Sequence, residues 1–314
     1  MKVAAAQTSS VWLQPEATTA KAIEWLTTAA DEGVDLLAFP ETFLSGYPFW
    51  VTLTDGARFN DTRQKRAYAA YLDAAVEVDG PEVARVVTAA RDLGVFTYLG
   101  ITERGTGSAR GTVFCSLLAI DPAHGLVSSH RKLMPTYEER LVWGAGDGHG
   151  LRVHATPSGF RVGGLNCWEN WMPQARHAMY AGGEDLHVSV WPGSSWLTRD
   201  ITRFIALEGR VWSLAAGGLM SLDDVPSDFP LHDALAEHAG ELDAYDGGSA
   251  IASPTGHWVV EPVSGEERLV VAEIDLERVR RERHNFDATG HYSRPDVFHL
   301  TVDRSRREAA HFLD

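Results

Sequence analysis

Apolar runs and amphipathic stretches alternate along almost the whole chain, a pattern that predicts strands and helices in turn. A strand over Val3–Gln7 is followed by an amphipathic helix over Glu16–Glu32, which carries apolar residues at helical spacing. The continuous apolar run Val34–Phe39 is typical of a strand covered on both faces. The alternation continues to a last helix over Leu276–His284 and indicates an α/β fold.

Hairpins interrupt this alternation. The segments Val113–Ile120 and Leu126–Lys132 read as two strands around a short turn, so neighbouring strands there should be antiparallel and the sheets mixed. No linker divides the chain, which favours one domain with two sheets and outer helices. The remaining predicted elements are strands at Val95–Leu99, Arg161–Cys167, Asp185–Trp191, Val211–Ala216, Gly248–Ser253, Trp258–Pro262 and Leu269–Ile274, and helices at Pro81–Gly94, Met172–Ala181 and Thr198–Gly209.

Composition narrows the range of functions. The chain has 314 residues and a formal net charge of −15, with 28 Lys and Arg against 43 Asp and Glu. This acidic balance argues against nucleic acid and anionic membrane surfaces as partners. No window approaches the ~18 uninterrupted apolar residues of a membrane span, and the first residues lack the apolar core of a secretory signal. We therefore expect a cytoplasmic protein without a membrane segment.

The two cysteines differ in their sequence surroundings. Cys167 lies at a predicted strand-to-helix junction, where helix N-terminal amides favour the thiolate and where α/β sheets build active sites. A nucleophile and a buried structural cysteine are both compatible with that position. Cys115 lies inside an apolar strand with no turn beside it, which favours a structural role. Two cysteines are too few for a disulfide framework, which agrees with a reducing compartment.

Two charged residues also stand at the ends of predicted strands. Glu41 follows an apolar run directly, and desolvation there would raise its pKa and make it a competent base. Lys132 ends a hairpin strand and precedes Glu138 and Glu139, which could keep it cationic when buried. Taken singly, a solvated loop glutamate and a surface ion pair are the more frequent explanations. Together with Cys167 they would supply a nucleophile, a base and an electrostatic stabiliser.

Other patterns carry weaker chemical signals. The glycine-rich segment at 144–150 fits neither phosphate-loop spacing, and the scattered histidines form no metal motif, so neither a metal nor an organic cofactor is expected. Tyr47 lies six residues after Glu41, Trp168 adjoins Cys167, and Trp191 ends the next predicted strand. These three rings could line an apolar substrate pocket, or they could simply pack the core.

Longer motifs surround these residues. They are FPETF at 39–43, GYPFW at 46–50, HRKLMPT at 130–136, NCWEN at 166–170, GGS at 247–249, NFD at 285–287 and GHYSRPD at 290–296. On these motifs the chain resembles the nitrilase superfamily of carbon–nitrogen hydrolases from Val3 to about Asp303. The GYPFW and NCWEN segments favour its nitrilase branch over the amidase branches. The implied catalytic domain covers residues 1–303, followed by a tail at 304–314.

The resemblance implies a four-layer α-β-β-α sandwich with mixed sheets. It further implies that Glu41, Lys132 and Cys167 form a Glu-Lys-Cys triad, with Glu139 as a supporting glutamate. The implied activity is that of a thiol nitrilase, which converts a small nitrile into an acid and ammonia through a thioimidate. An amidase or nitrile-hydrating activity on the same triad is the alternative, and a non-catalytic binding protein is the remote one. A homo-oligomer is also implied, with dimers that pair near Met172–Ala181.

Overall fold

The computed structural model describes residues 1–307 and Ala310, and its centre is a pair of six-stranded sheets. The strands are β1 (Lys2–Gln7), β2 (Leu36–Ala38), β3 (Phe96–Arg104), β4 (Val113–Asp121), β5 (Gly125–Arg131), β6 (His154–Ala155), β7 (Arg161–Asn166), β8 (Leu186–Trp191), β9 (Trp212–Gly217), β10 (Gly247–Ala252), β11 (Trp258–Ser264) and β12 (Arg268–Glu273). The helices are α1 (Pro15–Asp31), α2 (Trp50–Leu53), α3 (Thr62–Ala74), α4 (Pro81–Leu93), α5 (Pro173–Ala181), α6 (Ser195–Gly209), α7 (His232–Ala236), α8 (Ala239–Leu242) and α9 (Leu276–Glu282).

Both sheets are mixed, as the hairpins predicted. The first sheet has the order β12-β1-β2-β3-β4-β5, and the second has the order β11-β10-β9-β8-β7-β6. In the first, β1, β2 and β3 are parallel, whereas β4 and β5 form the predicted antiparallel hairpin. In the second, β7, β8 and β9 are parallel. Strands β2, β3 and β5 therefore run in one direction and end at the same edge of their sheet.

The core is layered. Apolar side chains of both sheets, such as Leu36 and Tyr98 from one and Val188 and Leu214 from the other, pack in one buried cluster between the sheets. Helices α1 and α4 cover the outer face of the first sheet, and α5 and α6 cover that of the second. This arrangement confirms the predicted four-layer α-β-β-α sandwich.

The structure departs from the predicted elements in several places. Strand β2 has three residues rather than six, because the chain leaves the sheet at Phe39. Strand β7 ends at Asn166 rather than Cys167, since Cys167 has a φ of 45°, which no strand residue adopts. Helix α3 was not predicted, although Asp61 caps it by accepting hydrogen bonds from two backbone amides of its first turn.

The residues that follow α9 return to the main body of the protein. Arg306 donates hydrogen bonds to the Asp147 carboxylate at 3.1 Å and to the Ser129 carbonyl at 3.0 Å, and the Arg307 amide also donates to Asp147. The first residues of the predicted tail at 304–314 are thus fastened to the loop after β5. Residues 308, 309 and 311–314 lie outside the described part of the chain. Among the described helices, none has the length and apolar character needed to cross a bilayer.

Candidate active site

Glu41 reaches the site because the chain leaves β2 early and crosses the edge of the first sheet. Its amide donates to the carbonyl of Trp191, the last residue of β8, so this segment joins the two sheets. The crossing passes close to Gly100 on β3. A Cβ atom at Gly100 would lie 2.0 Å from the Pro40 carbonyl oxygen, so only glycine permits this approach.

Lys132 follows the last residue of β5 and is held by its backbone. Its amide donates to the Cys115 carbonyl at 2.8 Å, and its own carbonyl accepts from the Gly146 amide at 2.8 Å. A Cβ atom on Gly146 would lie 2.2 Å from the Arg131 carbonyl oxygen. The glycine-rich segment at 144–150 therefore contributes the close packing that fixes Lys132.

Cys167 begins the 3₁₀ turn Cys167–Trp171 directly after β7. Its φ of 45° lies in the left-handed region, which is costly for a residue with a side chain. The Asn170 side-chain amide donates to the Cys167 carbonyl at 2.8 Å and so supports this conformation. The side-chain oxygen of Asn170, Oδ1, in turn accepts hydrogen bonds from the buried side chains of His187 and Ser189.

These three segments place four functional groups together. The Lys132 ammonium donates to the Glu41 carboxylate at 3.0 Å and to the Glu139 carboxylate at 2.7 Å. A carboxylate oxygen of each glutamate and the Cys167 sulfur all lie within 4.8 Å of one another. All four residues are buried. An ammonium between two carboxylates beside a thiol is the arrangement expected for covalent catalysis that develops negative charge.

The structure distinguishes Glu139 from its neighbour Glu138. Glu139 is buried, and its carboxylate accepts from Lys132, from the Thr136 amide at 2.6 Å and from the Tyr47 hydroxyl at 2.7 Å. Glu138 is partly exposed and makes no such contact among the described residues. Both oxygens of the Glu139 carboxylate therefore accept hydrogen bonds.

Glu41 differs from Glu139 in having an uncommitted oxygen. Its Oε1 atom accepts from Lys132, whereas its buried Oε2 atom has no hydrogen-bond partner within the described residues. Burial raises the pKa of Glu41 to about 7, although the Lys132 charge opposes this shift. A carboxylate with a free oxygen and a pKa near neutrality is suited to accept a proton at physiological pH.

Burial and the charges of the site shift the other two titrating groups as well. Burial and the adjacent Glu41 raise the pKa of the Cys167 thiol well above its usual value, while Lys132 and the Trp168 amide act in the opposite direction. The resting thiol is therefore protonated and needs a base. Burial acts to lower the pKa of Lys132, but Cys167, Glu139 and Glu41 outweigh it and raise that pKa, so the ammonium stays charged.

Cys115 lies nearer to the chemistry than its sequence context indicated. Its thiol donates to Glu41 Oε1 at 3.3 Å from the side of β4, so this buried strand cysteine also contacts the candidate base. Burial and the Glu41 charge raise the pKa of the Cys115 thiol well above its usual value, which keeps it protonated as a donor. The strand pattern alone could not show that β4 runs beside the segment that carries Glu41.

The same groups could geometrically serve as metal ligands. Glu41, Glu139 and Cys167 each offer one ligand atom within 4.8 Å of the others. However, the Lys132 ammonium already donates to both carboxylates, and a metal cation beside it would be repelled. The set therefore fits an ammonium better than a metal ion.

The three predicted substrate-contacting aromatics have different surroundings. Tyr47 lies at the site, where its hydroxyl contacts Glu139. Trp191 is fully buried in the same apolar cluster as Cys167. Trp168 is 41% exposed and lines a surface groove of about 670 Å³. None of the four buried site residues, Glu41, Lys132, Glu139 and Cys167, lines this groove. Tyr245, which no motif indicated, also lies beside Tyr47, at a ring-centroid distance of 6.1 Å, and burial and the nearby Cys167 raise its pKa to about 12.

Comparison with known proteins agrees with this geometry. The family model described as carbon-nitrogen hydrolase matches residues 2–284. A nitrilase 2 from an unknown prokaryotic organism is 39% identical over 98% of this chain and 94% of its own length. A bifunctional nitrilase/nitrile hydratase NIT4 from Oryza sativa subsp. japonica is 36% identical over 95% of this chain and 82% of its own length.

A solved structure shares the fold at lower sequence identity. The crystal structure of Saccharomyces cerevisiae Nit3, a member of branch 10 of the nitrilase superfamily, superposes with a TM-score of 0.69. The superposition covers 93% of this chain and 96% of that one at 17% identity. With the family match and the curated relatives, the chain belongs to the carbon-nitrogen hydrolase family, in the nitrilase branch of its superfamily.

Proposed function

We propose that the protein is a thiol nitrilase, which hydrolyses a nitrile to a carboxylic acid and ammonia. The observation that carries the proposal is the Lys132 ammonium bonded to two buried carboxylates, with the Cys167 sulfur within 4.8 Å of both. Full-length similarity to curated nitrilases supports the same activity. The overall reaction consumes two waters: R–C≡N + 2 H₂O → R–COOH + NH₃.

The first half of the reaction forms a covalent adduct. Glu41 Oε2 takes the Cys167 proton, and the sulfur attacks the nitrile carbon to form a C–S bond. The electron pair of one C–N π bond moves to nitrogen, which takes up the proton from Glu41 and gives a thioimidate, so that Glu41 is again a base. Lys132 stabilises the developing negative charge on nitrogen, and the Trp168 amide beside the sulfur adds a second donor.

The second half releases both products. A water that Glu41 deprotonates adds to the thioimidate carbon, and the tetrahedral intermediate loses ammonia when the C–N bond breaks. A second water then attacks the thioester, and the C–S bond breaks to release the acid and restore the thiol. Glu139 keeps Lys132 charged and oriented in both halves, because its carboxylate accepts a hydrogen bond from the ammonium. Both oxygens of Glu139 already accept hydrogen bonds, so we assign the proton transfers to Glu41 and not to Glu139.

We further propose uncharged aryl or arylalkyl nitriles as the preferred substrates. Tyr47 contacts Glu139 and packs with Trp143 and Tyr245 at ring-centroid distances of 5.5 and 6.1 Å. An aromatic surface beside the buried ion cluster can solvate little extra charge, so amino- or carboxy-substituted aliphatic nitriles should bind poorly. If these rings only pack the core, the substrate pocket is narrow, and small aliphatic nitriles should have the highest kcat/KM.

A panel of nitriles tests both the activity and the preference. Ammonia release should be measured with phenylacetonitrile, benzonitrile, butyronitrile and a charged aliphatic nitrile, with Cys167→Ala as the blank. The proposal expects the highest kcat/KM for the aryl nitriles. Better turnover of the charged nitrile would contradict the apolar pocket, whereas ammonia from amides alone would replace nitrilase by amidase activity.

Hydration of the nitrile to an amide, alongside hydrolysis to the acid, is a second candidate function. The rice relative carries both nitrilase and nitrile hydratase in its name. The tetrahedral intermediate can expel the Cys167 sulfur instead of ammonia, and the product is then an amide. Chromatography of the same reactions gives the ratio of acid to amide, and an amide fraction above one half would favour the hydratase description.

Assembly into dimers or larger homo-oligomers is a further proposal. The groove beside Trp168 also contains Trp171 and the 76% exposed Trp196, and Phe204 on α6 stacks on Trp171. So many exposed rings in one place are typical of a protein–protein contact. The groove adjoins α5, the helix that the resemblance assigns to dimer pairing.

Light scattering with matched variants tests this surface. Trp196→Ser should shift the assembly toward monomers. Phe59→Ser should leave it unchanged, because Phe59 is 98% exposed but does not line the groove. A wild-type monomer with full activity would contradict the proposal.

The thiol chemistry also bears on location. Both cysteines are free thiols, and Cys167 must be reduced to attack a nitrile. We therefore propose the cytoplasm, where thiols are kept reduced, as the working compartment. Cell fractionation tests this, and recovery of the active protein from an oxidising compartment would contradict it.

A further inference from the structure

One buried carboxylate joins the segment that carries Lys132 to the turn that carries Cys167. Glu169 belongs to the 3₁₀ turn that starts at Cys167, and its side chain is fully buried. Its Oε1 atom accepts from the Leu133 amide at 2.8 Å. Its Oε2 atom accepts from the Asn166 amide at 3.0 Å and contacts His130 Nε2 at 2.9 Å.

The partners of Glu169 lie immediately around the two catalytic groups. Leu133 follows Lys132, His130 precedes it by two residues, and Asn166 precedes Cys167. From this we infer that Glu169 is a positioning residue that sets the distance between the Lys132 ammonium and the Cys167 sulfur. The inference rests on the proposed thiol chemistry, because it assigns Glu169 a role in that reaction.

Only a carboxylate satisfies this set of partners. The two backbone amides can only donate, and they contact different oxygens of Glu169. A glutamine in either orientation would turn its NH₂ group toward one of these amides, so one buried donor would face another. The His130 ring must then carry its proton on Nε2, since a carboxylate accepts. Although burial acts to raise it, the pKa of Glu169 is lowered by His130 and by the two amides.

A second buried carboxylate serves as a matched control. Glu103 accepts from Arg131 at 2.9 Å and from the Ser116 hydroxyl at 2.5 Å, so it also contacts a residue next to Lys132. All of its partners lie in the first sheet, on β4 and β5, and none belongs to the Cys167 turn among the described residues. Glu103→Gln therefore disturbs a buried charge beside Lys132 without touching the connection to Cys167.

The test compares Glu169→Gln with Glu103→Gln in the full chain. Active sites are titrated with iodoacetamide, and kcat and KM for benzonitrile, or for the best nitrile of the panel, are expressed per titrated site. Displacement of a catalytic group by about 1 Å costs on the order of 100-fold in rate. Glu169→Gln should therefore lose about 100-fold in kcat per site with little change in KM, and Cys167 should be alkylated more slowly. Glu103→Gln should keep kcat per site within about threefold.

Outcomes separate positioning from plain structural support. If Glu169→Gln lowers the melting temperature but keeps kcat per titrated site, the inference is wrong. It is also wrong if Glu103→Gln loses as much as Glu169→Gln. Absence of nitrile turnover in the wild type would instead contradict the proposed function, and the alkylation rates of the two variants would still test whether Glu169 positions Cys167.

A second pair of variants applies if Glu169→Gln does not fold. His130→Gln can keep an N–H donor near the position of Nε2, whereas His130→Leu removes it. The leucine variant should lose about tenfold in kcat per site, in keeping with the net value of one hydrogen bond to a charged group. The glutamine variant should recover most of that loss. Equal kcat per site in the two variants would overturn the inference.

Discussion

The two cysteines lie on segments from different sheets, yet both are next to Glu41. Cys115 sits in the regular strand β4, and its thiol donates to Glu41 Oε1 at 3.3 Å. Cys167 sits where β7 ends, with a φ of 45°. Both are buried, and burial raises the pKa of both thiols. Neither burial nor the presence of a carboxylate therefore distinguishes the nucleophile from its neighbour.

The difference lies in the backbone and in the remaining oxygen of Glu41. Cys115 already uses Oε1, the oxygen that Lys132 also occupies, whereas Oε2 has no partner within the described residues. The turn at Cys167 brings the Trp168 amide to its sulfur, while the strand around Cys115 pairs on both sides. We therefore expect the turn at the end of β7, rather than the thiol group alone, to make Cys167 the nucleophile.

The largest effect is expected from the pair Cys167→Ala and Cys115→Ala. Cys167→Ala should reduce nitrile hydrolysis below about a hundredth of the wild-type rate, because covalent catalysis is lost. Cys115→Ala should keep most of the activity. The substitution removes a hydrogen-bond donor to Glu41, but Cys115 forms no covalent bond with the substrate in the proposed mechanism. Steady-state ammonia release with circular dichroism as a folding control measures both. Activity in Cys167→Ala above that threshold would rule out the thiol mechanism.

Lys132→Met should be nearly as severe as Cys167→Ala. The substitution removes the only ammonium between Glu41 and Glu139 in the described structure, and groups that act as a unit lose activity together. The buried glutamates would also repel each other without it. Single-turnover measurement of thioimidate formation by mass spectrometry should detect almost no adduct. Normal adduct formation would place Lys132 outside the attack step.

An intermediate effect is expected from the two adjacent glutamates. Glu139→Gln should lower kcat by about 10- to 1,000-fold, because the substitution removes the negative charge that holds the Lys132 ammonium. Glu138→Gln is the matched control and should be close to wild type, as Glu138 is partly exposed. The reverse result would mean that Glu138 is the supporting carboxylate.

The smallest effect concerns the pH dependence. Glu41 acts as a base only when ionised, and its pKa is about 7, so kcat/KM should rise with pH through neutrality. The Cys115 thiol lowers the pKa of Glu41 by hydrogen bonding. Cys115→Ala should therefore move this rise to higher pH by about half a unit, equivalent to a weak hydrogen bond. Cys115→Ser should move it the other way, and identical profiles would show that the contact has no influence.

The sequence predicted elements better than it predicted contacts between them. Alternating apolar and amphipathic segments placed β1, α1, α4 and the β4–β5 hairpin within a few residues, because burial patterns act locally. Helix α3 was missed although its buried residues Ala67, Tyr71 and Ala74 have helical spacing, because only one of them is large and the first turn consists of charged and polar residues. Such a face gives a weak amphipathic signal.

The site shows the same division. The sequence predicted that Glu41, Lys132 and Cys167 could act together, since each stands at the end of a predicted strand. The contacts of Cys115, Tyr245 and Gly100 depend on which strands and loops are neighbours, and no single segment encodes this. Glu169 carried a motif signal but no stated role, because the importance of its carboxylate appears only when both catalytic segments surround it.

Because the backbone of Cys167 is left-handed, catalysis and folding stability favour different residues at this position. A residue with a side chain costs about 1 kcal/mol or more there, and glycine would avoid that cost. The free energy of unfolding, measured by chemical denaturation, should thus be larger for Cys167→Gly than for Cys167→Ala by roughly 1 kcal/mol. Mutational drift without a need for nitrile hydrolysis would then favour glycine. Under the proposed thiol mechanism, the need for the Cys167 sulfur outweighs this loss of stability.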